Sequence, residues 1–213
     1  MNQYLRYRKT IGSINRIYNY NNNVNGRLGA SFFISSLNKP VSFPFYLPKC
    51  DINAIWNQHT NSEFVTNNPD VTMETMTPNP YVIHIPTLTG ADGYNELKYF
   101  YATRFINKNP PDTNLVVVSH TVGKTTIVDE YIFSCTHTVE MPWMLPGIEP
   151  TNKYFKIPLV VIVQFEGCKI ANEHIYWDQS SVLVQLGLLD PAGLPIVGVQ
   201  QATKLLELVN SHR

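Results

Sequence analysis

The chain has 213 residues, 44% hydrophobic and 15% charged, with 16 basic residues against 16 acidic ones. That is enough apolar material for one domain with a core, without the net charge of a nucleic-acid binder. The longest apolar run, 157–163, is broken by Pro158 and falls far short of the roughly 18–20 residues of a membrane span, so neither nucleic acid nor membrane is expected as a partner.

The charge is unevenly placed. Residues 1–50 carry seven basic residues and no acid, whereas 51–213 carry nine basic residues against all sixteen acids. The chain therefore divides into a basic, Asn-rich extension (1–50) and a domain (51–213). An acid-free, Arg-bearing stretch over residues 1 to about 35 has the composition of a mitochondrial transit peptide, which would place the mature protein in the matrix. The alternative is a low-complexity tail, read from 18–23, on a cytoplasmic protein. Pro40 to Pro48 reads as an extended linker. Cys50, Cys135 and Cys168 lie far apart with no C-x-x-C pair, so neither a zinc knuckle nor a disulfide framework is expected, and a reducing compartment is the simpler assumption.

From the N-cap candidate Asp51, the spacing Ile52, Ile55, Trp56, His59, Phe64 predicts an amphipathic helix ending near Asn67-Asn68-Pro69. Two short strands, 71–76 and 81–86, are expected around the turn Thr77-Pro78-Asn79-Pro80. A second helix follows with Leu97, Phe100, Tyr101 and Phe105 at helical spacing. Residues 115–121 and 125–138 read as a hairpin about Gly123-Lys124, 154–165 and 170–178 as another about Gly167-Cys168, and 202–209 as a closing helix. The order is α+β, with no βαβ repeat, no glycine-rich phosphate loop and no G-x-S-x-G elbow, which disfavours nucleotide-binding and α/β-hydrolase folds.

A two-residue turn in the last hairpin pairs Glu166 with Lys169. Strict alternation then puts Asn172, His174, Tyr176 and Asp178 on one face with Ile157, Leu159, Val161 and Val163, and Ile162, Ile175 and Trp177 on the other. Both faces are substantially apolar, so a homodimer through the face bearing Ile162, Ile175 and Trp177 is expected.

Three stretches carry a resemblance. The run Gly167-Cys168-Lys169-Ile170, Glu173-His174-Ile175-Tyr176-Trp177-Asp178 and Gln185-Leu186-Gly187 is similar to the closing strand and tail of SnoaL-like proteins in the NTF2-like superfamily. His84-Ile85-Pro86 with Gly90 resembles an earlier strand of that family. His137-Thr138, Glu140 and Trp143-Met144-Leu145-Pro146-Gly147 resemble an uncharacterised subgroup of it. The resemblance spans about 51–200 and implies a cone-shaped α+β fold, a strongly bent antiparallel sheet wrapped around helices that encloses a pocket. It further implies chemistry like that of polyketide cyclases, which use an aspartate as acid/base and no metal.

On that basis the expected function is a cofactor-independent lyase, isomerase or cyclase acting on a small apolar carbonyl-containing molecule. The alternatives are a non-catalytic small-molecule-binding domain and a hydrolase that activates water. Asp178, at the family's acid/base position, is the first catalytic candidate, with His84 and His137 assisting; capping of the following segment is the other role open to Asp178. Trp56, His59, Tyr101, His120, Trp143 and Tyr176 are the candidate substrate contacts. Of Asp129 and Glu130 only one can face inward, and neither is assigned. His137, Glu140 and His84 show no metal-ligand spacing, so no metal site is expected. The 142–150 segment reads as a loop able to cover a pocket mouth.

Overall fold

The computed structural model describes residues 50–212; the readings made for the basic extension lie outside the described residues, apart from Cys50. Helix α1 (Ile52–Phe64) begins where expected, the Asp51 carboxylate accepting the backbone N–H groups of Asn53 (3.0 Å) and Ala54 (3.2 Å). The next segment departs from expectation. Residues 71–76 read as a strand because Val71 and Thr72 are β-branched, yet Pro69–Glu74 is helix α2. The signal that wins is local: Asn68 caps, Pro69 sits in the first turn where its missing N–H costs nothing, and Asp70 meets the helix N-terminus.

Strand β1 (Met76–His84) runs through the expected Thr77–Pro80 turn, with a register break between Met76 and Tyr81. Prolines 78 and 80 cannot donate to a ladder, which accounts for the break. After β2 (Thr89–Asp92), helix α3 (Tyr94–Phe100) continues into a π-helical turn, Tyr101–Phe105. The wider turn keeps Leu97, Phe100, Tyr101 and Phe105 all buried.

Strands β3 (Asn114–Val122), β4 (Thr126–Thr136), β5 (Tyr154–Glu166) and β6 (Lys169–Trp177) form the two long hairpins. The sheet order is β2-β1-β6-β5-β4-β3, antiparallel except for the parallel pair β1 and β6. Its inner face packs Ile127, Phe133, Phe155, Ile157, Val163 and Ile170 against α1, α3 and the π-helical turn in one core.

One irregularity reassigns a whole strand. Glu166 pairs with Lys169 as expected, but a bulge between Gln164 and Phe165 lets Phe165 pair with Ile170 and Gln164 with Asn172. Beyond it Val163 lies opposite Glu173, Val161 opposite Ile175 and Leu159 opposite Trp177. Glu173, Ile175 and Trp177 are therefore buried on the inner face, while His174 and Tyr176 turn outward with Ile162 and Val160. The expected face combining Ile162 with Ile175 and Trp177 does not exist.

Short helix α4 (Gln179–Gln185) follows β6, and α5 (Gln200–Ser211) closes the fold. Ala202, Leu205, Leu206 and Val209 of α5 pack on Val118 and Ile132, so part of the outer face is covered by the chain itself. The 142–150 segment is no mobile cover: Trp143, Met144 and Leu145 are buried in the core. Cys50 and Cys168 are disulfide-bonded, contrary to the sequence expectation; 118 residues of separation leave no local pattern, and the fold brings them together. Among the described residues no helix is long and apolar enough to cross a membrane.

Candidate functional site

Asp178, the first catalytic candidate, caps α4. Its carboxylate accepts Ser180 Oγ (2.5 Å), Ser181 Oγ (2.8 Å), the Ser181 N–H (3.2 Å) and Gln201 Nε2 (2.5 Å). Burial pushes its pKa up, but the bonds from Ser180, Gln201 and Ser181 outweigh this and hold it at about 2. A proton shuttle needs a value near the working pH, so the geometry favours the capping alternative. The stability this cap contributes is complete above about pH 4 and disappears as pH falls toward 2. Asp178→Ala is expected to cost about 1–2 kcal/mol in denaturant unfolding at pH 7, and Asp178→Asn less, because Asn keeps one acceptor oxygen.

Neither of the other two catalytic candidates is among the hydrogen-bond partners of Asp178. His84 is buried among Trp143, Phe105 and Phe100, with ring centroids 4.9, 6.1 and 6.3 Å away, and its Nδ1 has no partner among the described residues. Burial lowers its pKa to about 3. Since the unfolded chain takes up a proton near pH 6.5 that the folded chain refuses, stability should fall as pH drops from about 6.5 toward 3, by on the order of 5 kcal/mol at most. Unfolding free energies measured across that window should show a flatter acid limb in His84→Leu. His137 lies beyond β4, its pKa lowered by burial, its Nδ1 3.3 Å from Thr151 Oγ1 and its Nε2 unpartnered among the described residues.

Of the candidate substrate contacts, Tyr176 faces outward and is 42% exposed, a consequence of the bulge. Trp143 is buried, its Nε1 donating to Asn109 Oδ1 (3.1 Å), and its carbonyl accepts the Thr87 and Thr89 hydroxyls. Trp56, His59, Tyr101 and His120 belong to two polar groups linked by α1. Residues 53, 56, 59 and 63 recur at helical spacing, so Asn53, Trp56, His59 and Glu63 turn toward the sheet where a core helix would present Leu or Ile.

The first group centres on Asp129, fully buried on the inner face of β4. It accepts Trp56 Nε1 (2.7 Å), the Tyr131 hydroxyl (2.5 Å) and, through its other oxygen, His120 Nδ1 from the facing strand β3. The His120 ring is 11% exposed, and its Nε2 lies 3.1 Å from Asn53 Oδ1 at the start of α1. This is a carboxylate–imidazole dyad: the carboxylate is fixed by two further donors, and the imidazole's far nitrogen is turned away from it.

The second group is fully interior. His59 Nε2 lies 3.0 Å from Glu173 Oε1 and 3.2 Å from Glu63 Oε1; its Nδ1 lies 2.6 Å from Thr75 Oγ1, and the Tyr101 hydroxyl is 3.3 Å from both His59 Nε2 and Glu173 Oε1. Burial works against a charged His59, but Glu63 and Glu173 overcome it and raise its pKa to about 10. Burial raises the pKa of Glu63 and, with the nearby carboxylates, that of Tyr101. The Trp56 ring stacks on His59 at 5.5 Å. Thr75 also lines a groove of about 660 Å³ with Ile55, Met73, Met76, Tyr94 and Cys168, and that groove does not include the dyad.

Glu63, Asp129 and Glu173 were missed as functional candidates. One signal was present in the chain: His59 and Glu63 stand four apart on a predicted helix. A turn at Gly123-Lys124 would set His120 opposite Ile127; the turn forms one residue later, the Gly123 N–H donating to the Thr126 carbonyl, and this sets His120 opposite Asp129. Glu173 had no such signal, because the bulge reverses its face.

No protein-family model matches the chain, nor does any curated protein sequence. Solved structures do. A candidate SnoaL-like polyketide cyclase from Jannaschia sp. CCS1 is similar at 17% identity and TM-score 0.50, over 65% of this chain and 94% of that one. A candidate polyketide cyclase from Acidithiobacillus ferrooxidans matches at 19% and 0.50, over 64% and 94%. AclR, a candidate hydroxylase from Streptomyces galilaeus, matches at 18% and 0.50, over 76% and 95%. The chain thus carries the SnoaL-like, NTF2-like α+β fold, and neighbours described by different reactions share it, so the chemistry must be argued from side chains.

Proposed function

We propose that the chain is an acid–base enzyme of the lyase, isomerase or cyclase type, acting on a small apolar carbonyl-containing molecule, with His120 as the proton-transferring group and Asp129 as its partner. The observation that supports this most is the burial of Asp129. An ionised carboxylate inside an apolar core is costly unless paired, and here its only ion-pair partner among the described residues is the imidazole that reaches the boundary with solvent. Folding alone would be served as well by an apolar cluster in place of Asp129 and its donors together.

In this reading His120 Nε2 removes a proton from the carbon beside the substrate carbonyl. The C–H electrons move into the enolate, and the imidazolium so formed is stabilised by Asp129, whose orientation Trp56 and Tyr131 fix. Asn53 marks the place a substrate atom would take at Nε2. The homodimer also remains a proposal, resting now on the outward strip of Val160, Ile162 and Tyr176, and solution mass at micromolar concentration tests it.

The test of the function is reaction-neutral. The full chain is incubated in D₂O with a panel of apolar ketones and 1,3-dicarbonyl compounds, and deuterium entry beside the carbonyl is followed by NMR. Catalysed exchange of at least one compound is the expected result. Binding without exchange across the panel would favour a non-catalytic domain.

A further inference from the structure

The three groups that converge inside the core behind Trp56 are all electron-pair donors. His59 and Glu63 stand at i and i+4 on α1, a spacing that puts both on one helix face, and Glu173 reaches them from the inner face of β6. Their ligating atoms lie within 4.8 Å of one another, and all three side chains are buried. The His59 ring is oriented from behind: its Nδ1 meets Thr75 Oγ1, and that hydroxyl is committed as a donor to the Thr72 carbonyl (2.6 Å). Nδ1 must therefore be the donor toward Thr75, which turns the Nε2 atom toward two carboxylate oxygens. Outer hydrogen bonds of this kind fix the tautomer of metal-bound histidines.

The spacings match a coordination shell. Two atoms bound to one ion at ~2.1 Å lie ~3.0 Å apart when they subtend a right angle and ~3.4 Å apart at the tetrahedral angle. The separations here are 3.0, 3.2 and 3.3 Å, the last being that of the Tyr101 hydroxyl from both His59 and Glu173. Among the described residues no lysine or arginine forms an ion pair with Glu63 or Glu173, and His59 is the group that faces both carboxylates. A divalent ion would take the place of the proton on its Nε2.

We propose that His59, Glu63 and Glu173, with the Tyr101 hydroxyl beside them, form a binding site for one divalent first-row transition ion, with zinc and manganese the ions matched by a mixed imidazole and carboxylate donor set. The site shares no residue with the His120–Asp129 dyad, and Trp56 lies between them, bonded to Asp129 and stacked on His59, so binding and proton exchange are read by separate assays.

The experiment uses the full chain, stripped with chelator, equilibrated with micromolar Zn²⁺ or Mn²⁺ and passed through a desalting column before elemental analysis. One ion per chain is expected in the wild type, and Glu63→Gln and Glu173→Gln should each weaken binding at least 100-fold. Cobalt gives a second readout: in the wild type a visible absorption band distinct from that of the aqueous ion, with quenching of tryptophan emission that is lost in Trp56→Phe. A wild-type chain that retains no ion and shows no cobalt band overturns the site. So does one whose stoichiometry is unchanged in both folded Gln variants, and if either variant fails to fold the cobalt spectrum decides.

Discussion

His120→Gln and Asp129→Asn should each lower the catalysed exchange rate by about 10²- to 10⁴-fold while leaving a folded protein, since a positioned general base contributes on that scale. Gln at 120 donates and accepts hydrogen bonds but cannot take up a proton near neutrality, and Asn at 129 can still accept from Trp56 and Tyr131 while losing the charge that stabilises an imidazolium. Trp56→Phe and Tyr131→Phe each remove a single donor from Asp129 and should cost roughly tenfold, because the carboxylate remains but is less well held. The graded series matters more than any one member. A purely structural Asp129 would lose stability in all of these variants in proportion to rate, and melting temperatures measured beside the rates separate the two cases.

Gly90→Ala is expected to be the most damaging small substitution for folding. A Cβ there would lie 2.0 Å from the Val82 carbonyl oxygen, a backbone atom in the paired strand that cannot move aside, and the residue has φ +132°, a conformation L side chains rarely adopt. Loss of about 4 kcal/mol or more, or failure to accumulate folded protein, is expected. Gly147 provides the matched control: φ is +75° but a Cβ would meet nothing within 4 Å. Gly147→Ala should cost only about 1 kcal/mol in the same denaturant titration.

The elements that sequence periodicity located correctly are those whose signal is local and repeated. The stripe of α1, the two long hairpins and the closing helix all follow from spacing and turn residues, and the α+β order with the SnoaL-like closing strand led to the right fold. The errors come from single residues. Asn68-Pro69-Asp70 outweighs the β-branched Val71 and Thr72, turning an expected strand into α2. The extra residue near Ala171 moves Glu173 inward and Tyr176 outward, and with them the expected dimer face. A bulge leaves no composition signal here, because both phases of β6 read as acceptable alternation. The His120–Asp129 pairing was hidden by a turn that forms one residue later than Gly123-Lys124, and choosing Asp129 over Glu130 required knowing which face of β4 the helices cover. The disulfide between Cys50 and Cys168, and the meeting of α1 with β6 at His59 and Glu173, are products of topology alone.

The most direct test of the proposed chemistry compares deuterium exchange by wild type, His120→Gln and Asp178→Asn on the same carbonyl compound, at the same protein concentration and with folding checked for each. Exchange by Asp178→Asn should remain near the wild-type rate, since its carboxylate faces α4 and Gln201 and only caps a helix, while His120→Gln should fall to the uncatalysed background. The reverse pattern, with His120→Gln active and a folded Asp178→Asn inactive, would contradict the account and return the acid–base role to the end of β6.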